Sequence, residues 1–359
     1  MSRLWIVVML SKTGIVKDYT YLEHDPGSFH PETPRRLQAI YEMLESPDMK
    51  GKYVTITPRL ASQREIAMNH SESYVDLVAE TSGKQYYSLD PDTQTSARSY
   101  EAALLAAGGF CNAIDSVIEG TVDNAFALVR PPGHHAEHGR GAGFCIFNTI
   151  AIGARHAMKK HGIKRILIVD WDLHHGNGTQ HSFYNEKGVL YFSTHQSPFY
   201  PGTGGLDETG RGDGLGYTIN VPLRSGPGDA EFIRIFKRIL EPVARRYKPE
   251  IILLSAGFDI YKGDTMGGMN VSASGFAYLT RILMDIAATH CRGRLIATLE
   301  GGYNVGGQAQ SVKAVLKEMR GETVVSESYL ERIESGSSRS VERTIEKVID
   351  QIEPIWHTF

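Results

Sequence analysis

The sequence predicts an α/β protein: an open, largely parallel sheet flanked by helices in a three-layer α/β/α arrangement. Two observations predict it. Short runs of β-branched and leucine residues recur along the chain, each closing in a cluster of polar residues and then giving way to helical spacing, five times over. Strands buried on both faces and joined through helices are what a parallel sheet requires, because the chain must cross back between neighbouring strands. The second observation is negative. Neither an internal repeat nor a linker long enough to separate domains is visible, so 1–359 reads as one domain with a helical tail from about 324 to 359.

Taken in order, Leu4–Leu10 (LWIVVML) behind Arg3 reads as the first buried strand. It lacks the small-residue cleavage site of a signal peptide and is too short to span a bilayer. His24–Pro34 is a loop rich in Pro, Gly and His. A helix follows over Arg35–Leu44, with Glu32 or Thr33 at its start and Pro34 in the first turn, where a missing N–H costs nothing. Val54–Thr57 is a short strand and Ser71–Glu80 a helix, while 82–98 is polar and irregular, the kind of stretch that rims a site. Ser99–Glu119 is a core helix in which Gly108-Gly109 permits close packing. Ala125–Val129 is a strand ending in Arg130-Pro131-Pro132-Gly133-His134-His135, and Ile150–His161 is the helix that crosses back.

The next strand, Lys164–Val169, runs into Asp170-Trp171-Asp172-Leu173-His174. Val189–Phe192 ends in Ser193-Thr194-His195, and Asp229–Tyr247 is a long amphipathic helix. Ile251–Leu254 ends in Ser255-Ala256-Gly257-Phe258-Asp259, Ser272–His290 is helical, and Leu295–Leu299 ends in Glu300-Gly301-Gly302-Tyr303-Asn304. The tail from Val324 is a charged helix punctuated by Gly336-Ser337-Ser338.

Composition narrows the function classes. With 41% apolar and 22% charged residues, a net charge of -3, a pI near 6.5 and no run of Lys or Arg, the chain carries no dedicated nucleic-acid surface. A small molecule or a peptide segment is the expected partner, with no membrane contact and homo-oligomerisation left open. Three widely spaced cysteines, Cys111, Cys145 and Cys291, form no CxxC pair, which excludes a thiolate metal site and points to a reduced, cytoplasmic protein.

In open α/β sheets ligands bind beyond the carboxyl ends of the strands. Asp170, Asp172 and His174 alternate with Trp171 and Leu173, so an extended chain places the three polar side chains on one face, roughly 6–7 Å apart at each second residue. Each qualifies as a metal ligand, and a helix-capping turn is the plainer alternative. Gathered with Asp259, Asp172 and His174 would give three nitrogen and oxygen donors, leaving coordination open for water and substrate as a hydrolytic zinc site requires. Two carboxylates among three ligands would suit iron(II) or manganese as well. His134/His135, Ser193/His195 and Tyr303 close neighbouring strands and would stand beside that centre.

The strings RPPGHHAE (130–137), GFCIFN (143–148), VDWDLHHGNGTQ (169–180), PGTG (201–204), SAGFD (255–259) and LEGGYN (299–304) resemble the zinc-dependent histone deacetylase family. The likeness is closest to its class II members and to bacterial deacetylase-like and acetylpolyamine amidohydrolases, and it runs from about Pro26 to Asn304. It implies the arginase/deacetylase fold and hydrolysis of an acyl amide, with Asp172, His174 and Asp259 holding Zn2+. By the same resemblance His135 would be the general base, oriented by Asn177, with His134, oriented by Asp170, its electrostatic partner, and Tyr303 the oxyanion donor. Other members place an aspartate where Asn177 stands.

Phe144 and Tyr200 would wall a narrow channel, lined further by Gly143, Gly302, Met266 and Asp92. The main chain of Asp170, Asp172 and His174 with Ser193 and Thr194 would hold a structural K+, and Arg36 would lie near an inner cavity. Met266 stands where polyamine-selective relatives carry an acidic gatekeeper, although Glu23, Asp90 or Asp92 could supply charge from rim loops. A binuclear ureohydrolase and a non-catalytic acyl-binding module are the competing readings. The first wants a further pair of aspartates, whereas Ile260 and Tyr261 follow Asp259.

Overall fold

The computed structural model describes residues 10–322, 325–326, 328–329, 333 and 339–358. Its chain order is β1 (Thr13–Val16), α1 (Pro34–Leu44), β2 (Val54–Ile56), α2 (Gln63–Ile66), α3 (Glu72–Ala79), β3 (Tyr87–Asp90), β4 (Thr93–Thr95), α4 (Ser99–Ile118) and β5 (Asn124–Ala127). Then come α5 (Thr149–His161), β6 (Ile166–Asp170), α6 (Asn177–Phe183), β7 (Val189–Gln196), β8 (Thr218–Leu223) and α7 (Asp229–Ile235). The chain ends with α8 (Glu241–Tyr247), β9 (Ile251–Ala256), α9 (Ala273–His290), β10 (Leu295–Leu299), α10 (Val305–Met319) and α11 (Arg339–Trp356). Eight strands form one parallel sheet in the order β2-β1-β5-β10-β9-β6-β7-β8. Helices α4 and α5 pack together, and α1, α10, α9 and α7 form a separate row, giving the three layers of the arginase/deacetylase fold.

The central strands β5, β10, β9 and β6 are buried along their whole length, which is why they read as unbroken apolar runs. Register then sets the level of the polar residues at their ends. Asp170 of β6 pairs with Ser193 on one side and Ser255 on the other, and Thr298 of β10 pairs with Ser255. The residues just past these positions therefore emerge together at one edge of the sheet.

Several expectations are corrected. The first strand is Thr13–Val16; residues 4–9 of Leu4–Leu10 lie outside the described residues, and Leu10 is exposed and in no strand. Ser193-Thr194-His195 does not end β7 but lies within it, because that segment is paired to β8. Strand β8 was hidden by its Gly-rich approach and by Pro222, which a sheet-edge strand tolerates. Helix α10 was hidden by Gly306 and Gly307, and is started by Asn304, whose side chain accepts from Gly307 N at 2.9 Å. The stretch 82–98 contains an antiparallel hairpin, β3–β4. The long helix from Asp229 is continuous with α8 through a π-helical turn at Phe236–Leu240, just ahead of Pro242.

Helix α11 lies over β8, with Trp356 Nε1 donating to Gly216 O at 2.9 Å and its ring against Tyr217 and Tyr247. Gly336-Ser337-Ser338 lie outside the described residues. Among those described, α4 alone is long and apolar enough to cross a membrane, and 67% of its apolar window is buried inside the protein. All three cysteines are buried free thiols.

The Gly108-Gly109 step lets α4 touch the chain at 59–61. A Cβ on Gly108 would lie 2.0 Å from Arg59 O and 2.6 Å from Ala61 N, both backbone atoms that cannot swing away. Gly108→Ala should therefore cost about 1–3 kcal/mol, the range for overpacking, read as a fall in Tm. Gly109→Ala should cost less, since its nearest neighbours, at 2.9 Å, are the side-chain atoms Tyr21 OH and Val16 Cγ1.

Candidate active site

Beyond β6 the chain stays extended long enough for the alternation to act. Trp171 and Leu173 are fully buried in the core, and Asp172 and His174 take the opposite face. Asp259, past the end of β9, arrives beside them. His174 Nδ1 lies 3.0 Å from Asp172 Oδ1 and 3.1 Å from Asp259 Oδ2. Main-chain N–H groups hold the outer oxygens: Gly301 N donates to Asp172 Oδ2 at 2.9 Å, and Leu173 N to Asp259 Oδ1 at 2.8 Å. Apart from this ion pair with His174, Asp259 Oδ2 is buried without a hydrogen-bond partner. Gly257 and Gly301 are required here, since a Cβ on them would lie 2.1 Å from Asp172 Oδ2 and 2.3 Å from Asp259 Oδ2.

This donor set fits a divalent cation. Burial, followed by the charge of Asp172, pushes Asp259 up to about 7. Burial acts on Asp172 in the same sense, but His134 and His174 outweigh it and hold that carboxyl far below the carboxylate range. Two buried carboxylates sharing a single imidazole between them are a liability that a cation between them would remove. One imidazole and two carboxylates offer three ligand atoms.

The tandem histidines stand over this centre with ring centroids 4.1 Å apart. His134 Nδ1 lies 3.1 Å from Asp170 Oδ2, which also accepts from Tyr191 OH at 3.1 Å. His135 Nδ1 lies 2.7 Å from Asn177 Oδ1. Burial disfavours charge on both rings. For His134 the carboxylates Asp172 and Asp170 outweigh burial and push it up to about 10. For His135 burial is reinforced by His134 and His174 and holds it well below the histidine range, so the ring is neutral. Burial pushes Asp170 up as well, and the proton it shares with His134 resides on the ring.

A cleft of about 310 Å³ opens above these groups. Phe144, Phe199, Tyr200 and Met266 wall it, and His134, His135, His174 and Tyr303 form its floor. Gly143 and Phe144 both have positive φ, 56° and 68°, which brings Gly143 onto the ring of His135: a Cβ there would lie 2.3 Å from His135 Cδ2. Asp92 at the mouth anchors this turn by accepting from Gly143 N at 3.0 Å. Burial keeps the Tyr303 hydroxyl protonated, with the Arg36 guanidinium 4.9 Å over its ring.

Most of the predicted residues converge here, and a few do not. Gly302 does not line the cleft; Gly301 does, while Gly302 packs on Phe258 and its carbonyl accepts from Arg36 Nε at 2.6 Å. Glu23 is paired with Arg98 at 2.7 Å, and of the three rim carboxylates considered only Asp92 reaches the cleft. Ser193 and Thr194 lie on β7 next to Asp170; Ser193 Oγ meets His195 Nδ1 at 2.9 Å, and Thr194 Oγ1 is buried without a partner.

Four residues escaped sequence reasoning. Glu300 accepts from Gly133 N at 2.7 Å and His134 N at 3.2 Å and so sets the tandem-histidine turn; its place in LEGGYN was the available signal. Asp264 accepts from Tyr303 N and Asn304 N, both at 2.7 Å, and from Met266 N at 2.9 Å, and nothing in the sequence marked it. Phe199, beside Tyr200, lies 5.6 Å from the His174 ring. Glu137 contacts Asn177.

A parallel α/β sheet carrying a carboxylate–histidine–carboxylate centre at the floor of an apolar channel defines the class, a metal-dependent hydrolase. The model of the histone deacetylase domain matches residues 30–319. A probable deacetylase of Archaeoglobus fulgidus is 42% identical over 297 residues, 82% of each chain. The human polyamine deacetylase HDAC10 is 40% identical over 84% of this chain and 46% of its own length, and the Candida albicans histone deacetylase HDA1 is 40% identical over 87% and 41%. The chain thus spans about half or less of these two eukaryotic relatives. The crystal structure of the HDA15 HD domain superimposes with a TM-score of 0.90 at 37% identity, covering 97% of this chain and 96% of that one. The chain belongs to the histone deacetylase family.

The Asp172–Asp259 repulsion gives a test of the metal centre that needs no substrate. Asp259 has a raised folded-state pKa, so its ionisation opposes folding, and that cost grows from about pH 4 to 7 and persists above. In chelator-treated protein at pH 8, Asp259→Asn should raise Tm. The same substitution should abolish the rise in Tm that Zn2+ gives the wild type. A variant still stabilised by Zn2+ to the wild-type extent would place the ion elsewhere.

Proposed function

We propose that this protein hydrolyses the amide of an N-acylated amine, releasing an acetyl group from an acetyl-lysine side chain or a similar aliphatic amine. The observation that carries the reading is the convergence of a neutral imidazole, a charged imidazole and a protonated phenol on one carboxylate–histidine centre at the floor of an apolar channel.

Asp172, His174 and Asp259 would hold Zn2+, with Fe2+ the second candidate on account of the two carboxylates. When bound, the ion supplies Lewis acidity toward the acyl carbonyl and acidifies water. His135 takes a proton from the attacking water at Nε2, since Nδ1 is engaged by Asn177, and returns a proton to the departing amine. His134, charged against Asp170, stabilises negative charge as it grows. Tyr303 OH donates to the tetrahedral oxyanion. Phe144, Phe199, Tyr200 and Met266 exclude water and fit the methylenes of a lysine stem. The buried, unpartnered Thr194 Oγ1 beside Asp170 supports a structural K+ held there with Ser193 and the main chain of Asp170, Asp172 and His174.

The donor set has three members and Ile260 and Tyr261 follow Asp259, which supports one catalytic ion over the paired ions of a ureohydrolase. Polyamine selectivity is the second reading of the substrate, and Met266 at the channel wall weighs against it because a thioether cannot pair with a cationic chain. Buried free thiols support a reducing compartment, and we assign the protein to the cytoplasm.

Tyr303→Phe should lower kcat on an acetyl-lysine reporter by about 10²–10³-fold with KM little changed, because the hydroxyl acts on charge that exists only in the transition state. Equal rates in variant and wild type would remove the catalytic reading and leave an acyl-binding module. Across a panel of acetyl-lysine peptides and acetylated polyamines, kcat/KM should favour the peptides.

A further inference from the structure

His135 is not the end of its own hydrogen-bond chain. Its Nδ1 meets Asn177 Oδ1 at 2.7 Å, and Asn177 Nδ2 donates to Glu137 Oε1 at 2.6 Å. Glu137 in turn lies 2.9 and 3.0 Å from His181 Nδ1 through its two oxygens. The side chain of Glu137 is 17% exposed and that of His181 48%, so three side chains connect the buried base to the protein surface.

The middle member of this chain is an amide, and an amide has unlike ends. A carboxylate in the place of Asn177 would accept at either oxygen. Asn177 must choose, and Glu137 makes the choice: an ionised carboxylate only accepts, so the NH2 end faces Glu137 and the oxygen faces His135. Turned by half a revolution, Asn177 would set oxygen against oxygen at 2.6 Å. With Oδ1 toward the ring, Nδ1 of His135 has to carry the proton, and the lone pair is left on Nε2.

Glu137 is built to remain ionised and still. Burial opposes its charge, but His181, Asn177 and Arg140 outweigh burial and hold it below the usual glutamate range. Its main chain is pinned on both sides, its N–H donating to Arg140 O at 2.9 Å and its carbonyl lying 2.8 Å from His70 Nδ1. Helix α6, which carries Asn177 and His181, lies directly against this segment: a Cβ on Gly178 would be 2.2 Å from Ala136 O. Asn177 and Glu137 are thus held in register by contacts that leave neither room to slide.

The geometry points to Glu137 as a positioning residue that fixes the amide of Asn177 and, through it, the tautomer of His135, with His181 closing the chain at the surface. This rests on His135 being the base, as proposed above. It also says why an asparagine serves here: the charge that an aspartate would bring stands one residue further out.

Three variants and one spectrum test it. A glutamine side chain would offer either of its ends to Asn177, so Glu137→Gln replaces a charge-assisted bond by a neutral one and should lower kcat about tenfold with KM within about twofold. Asn177→Asp sets two carboxylates in contact and should lower kcat as well. In the double variant Glu137→Gln/Asn177→Asp, the introduced amide donates to the introduced carboxylate, which again accepts from His135 Nδ1–H, and kcat should rise above that of Asn177→Asp alone. Two residues that merely supported the fold would instead show losses that add. The 15N imidazole shifts of His135 read the tautomer without turnover: protonated Nδ1 in the wild type, a mixture in Glu137→Gln. Unchanged kcat in Glu137→Gln, a double variant no better than Asn177→Asp, or a wild-type ring protonated at Nε2 would each overturn the assignment. If the wild type hydrolyses no acyl amide while the tautomer still responds to Glu137→Gln, the hydrolase reading fails and the positioning role of Glu137 stands.

Discussion

Two carboxylates, Asp172 and Asp259, are buried against a single imidazole, and much of the surrounding structure exists to keep them there. Like charges in a protein interior repel and lack the hydration that would screen them. The chain answers with backbone. Gly301 N and Leu173 N are spent on the outer oxygens, and Gly257 and Gly301 give up side chains so that the main chain can close in. Apart from its ion pair with His174, one carboxylate oxygen, Asp259 Oδ2, is left without a hydrogen-bond partner, a deficit that a bound cation would fill.

The two histidines above this centre are separated by their own partners. His134 and His135 are adjacent in sequence, equally buried and 4.1 Å apart, yet they are driven to opposite protonation states. The difference lies one contact away: a carboxylate behind one ring, an amide behind the other. Burial alone would have made both neutral, and proximity to the carboxylates alone would have charged both. The opposite charge states of the two rings therefore depend on Asp170 and Asn177 as much as on the rings themselves.

How much of this was legible follows from where the signals lie. The central strands were visible because burial on both faces leaves nothing but apolar residues, and Asp172 and His174 were visible because they alternate with Trp171 and Leu173. Strand β8 and helix α10 were missed because glycines blur their starts, and the sheet and the Asn304 cap override that weakness in three dimensions. Asp264 was out of reach for a different reason. It acts by accepting main-chain N–H groups from Tyr303 and Asn304, about forty residues away, and no local pattern records a bond of that kind. Gly302 shows the converse, since a glycine beside Tyr303 was assigned to the channel when its space is taken up by Phe258.

An open sheet has two outer strands, and β8 is one of them. Its free rim of N–H and C=O groups is a template on which another extended chain can add, the route by which soluble proteins turn into aggregates. Helix α11 lies across this strand and is pinned by the Trp356 indole in the space between Tyr217 and Tyr247. Helix α11 thus acts as a guard rail, covering a reactive edge of the sheet, while the edge that carries Asp172, His174 and Asp259 remains open.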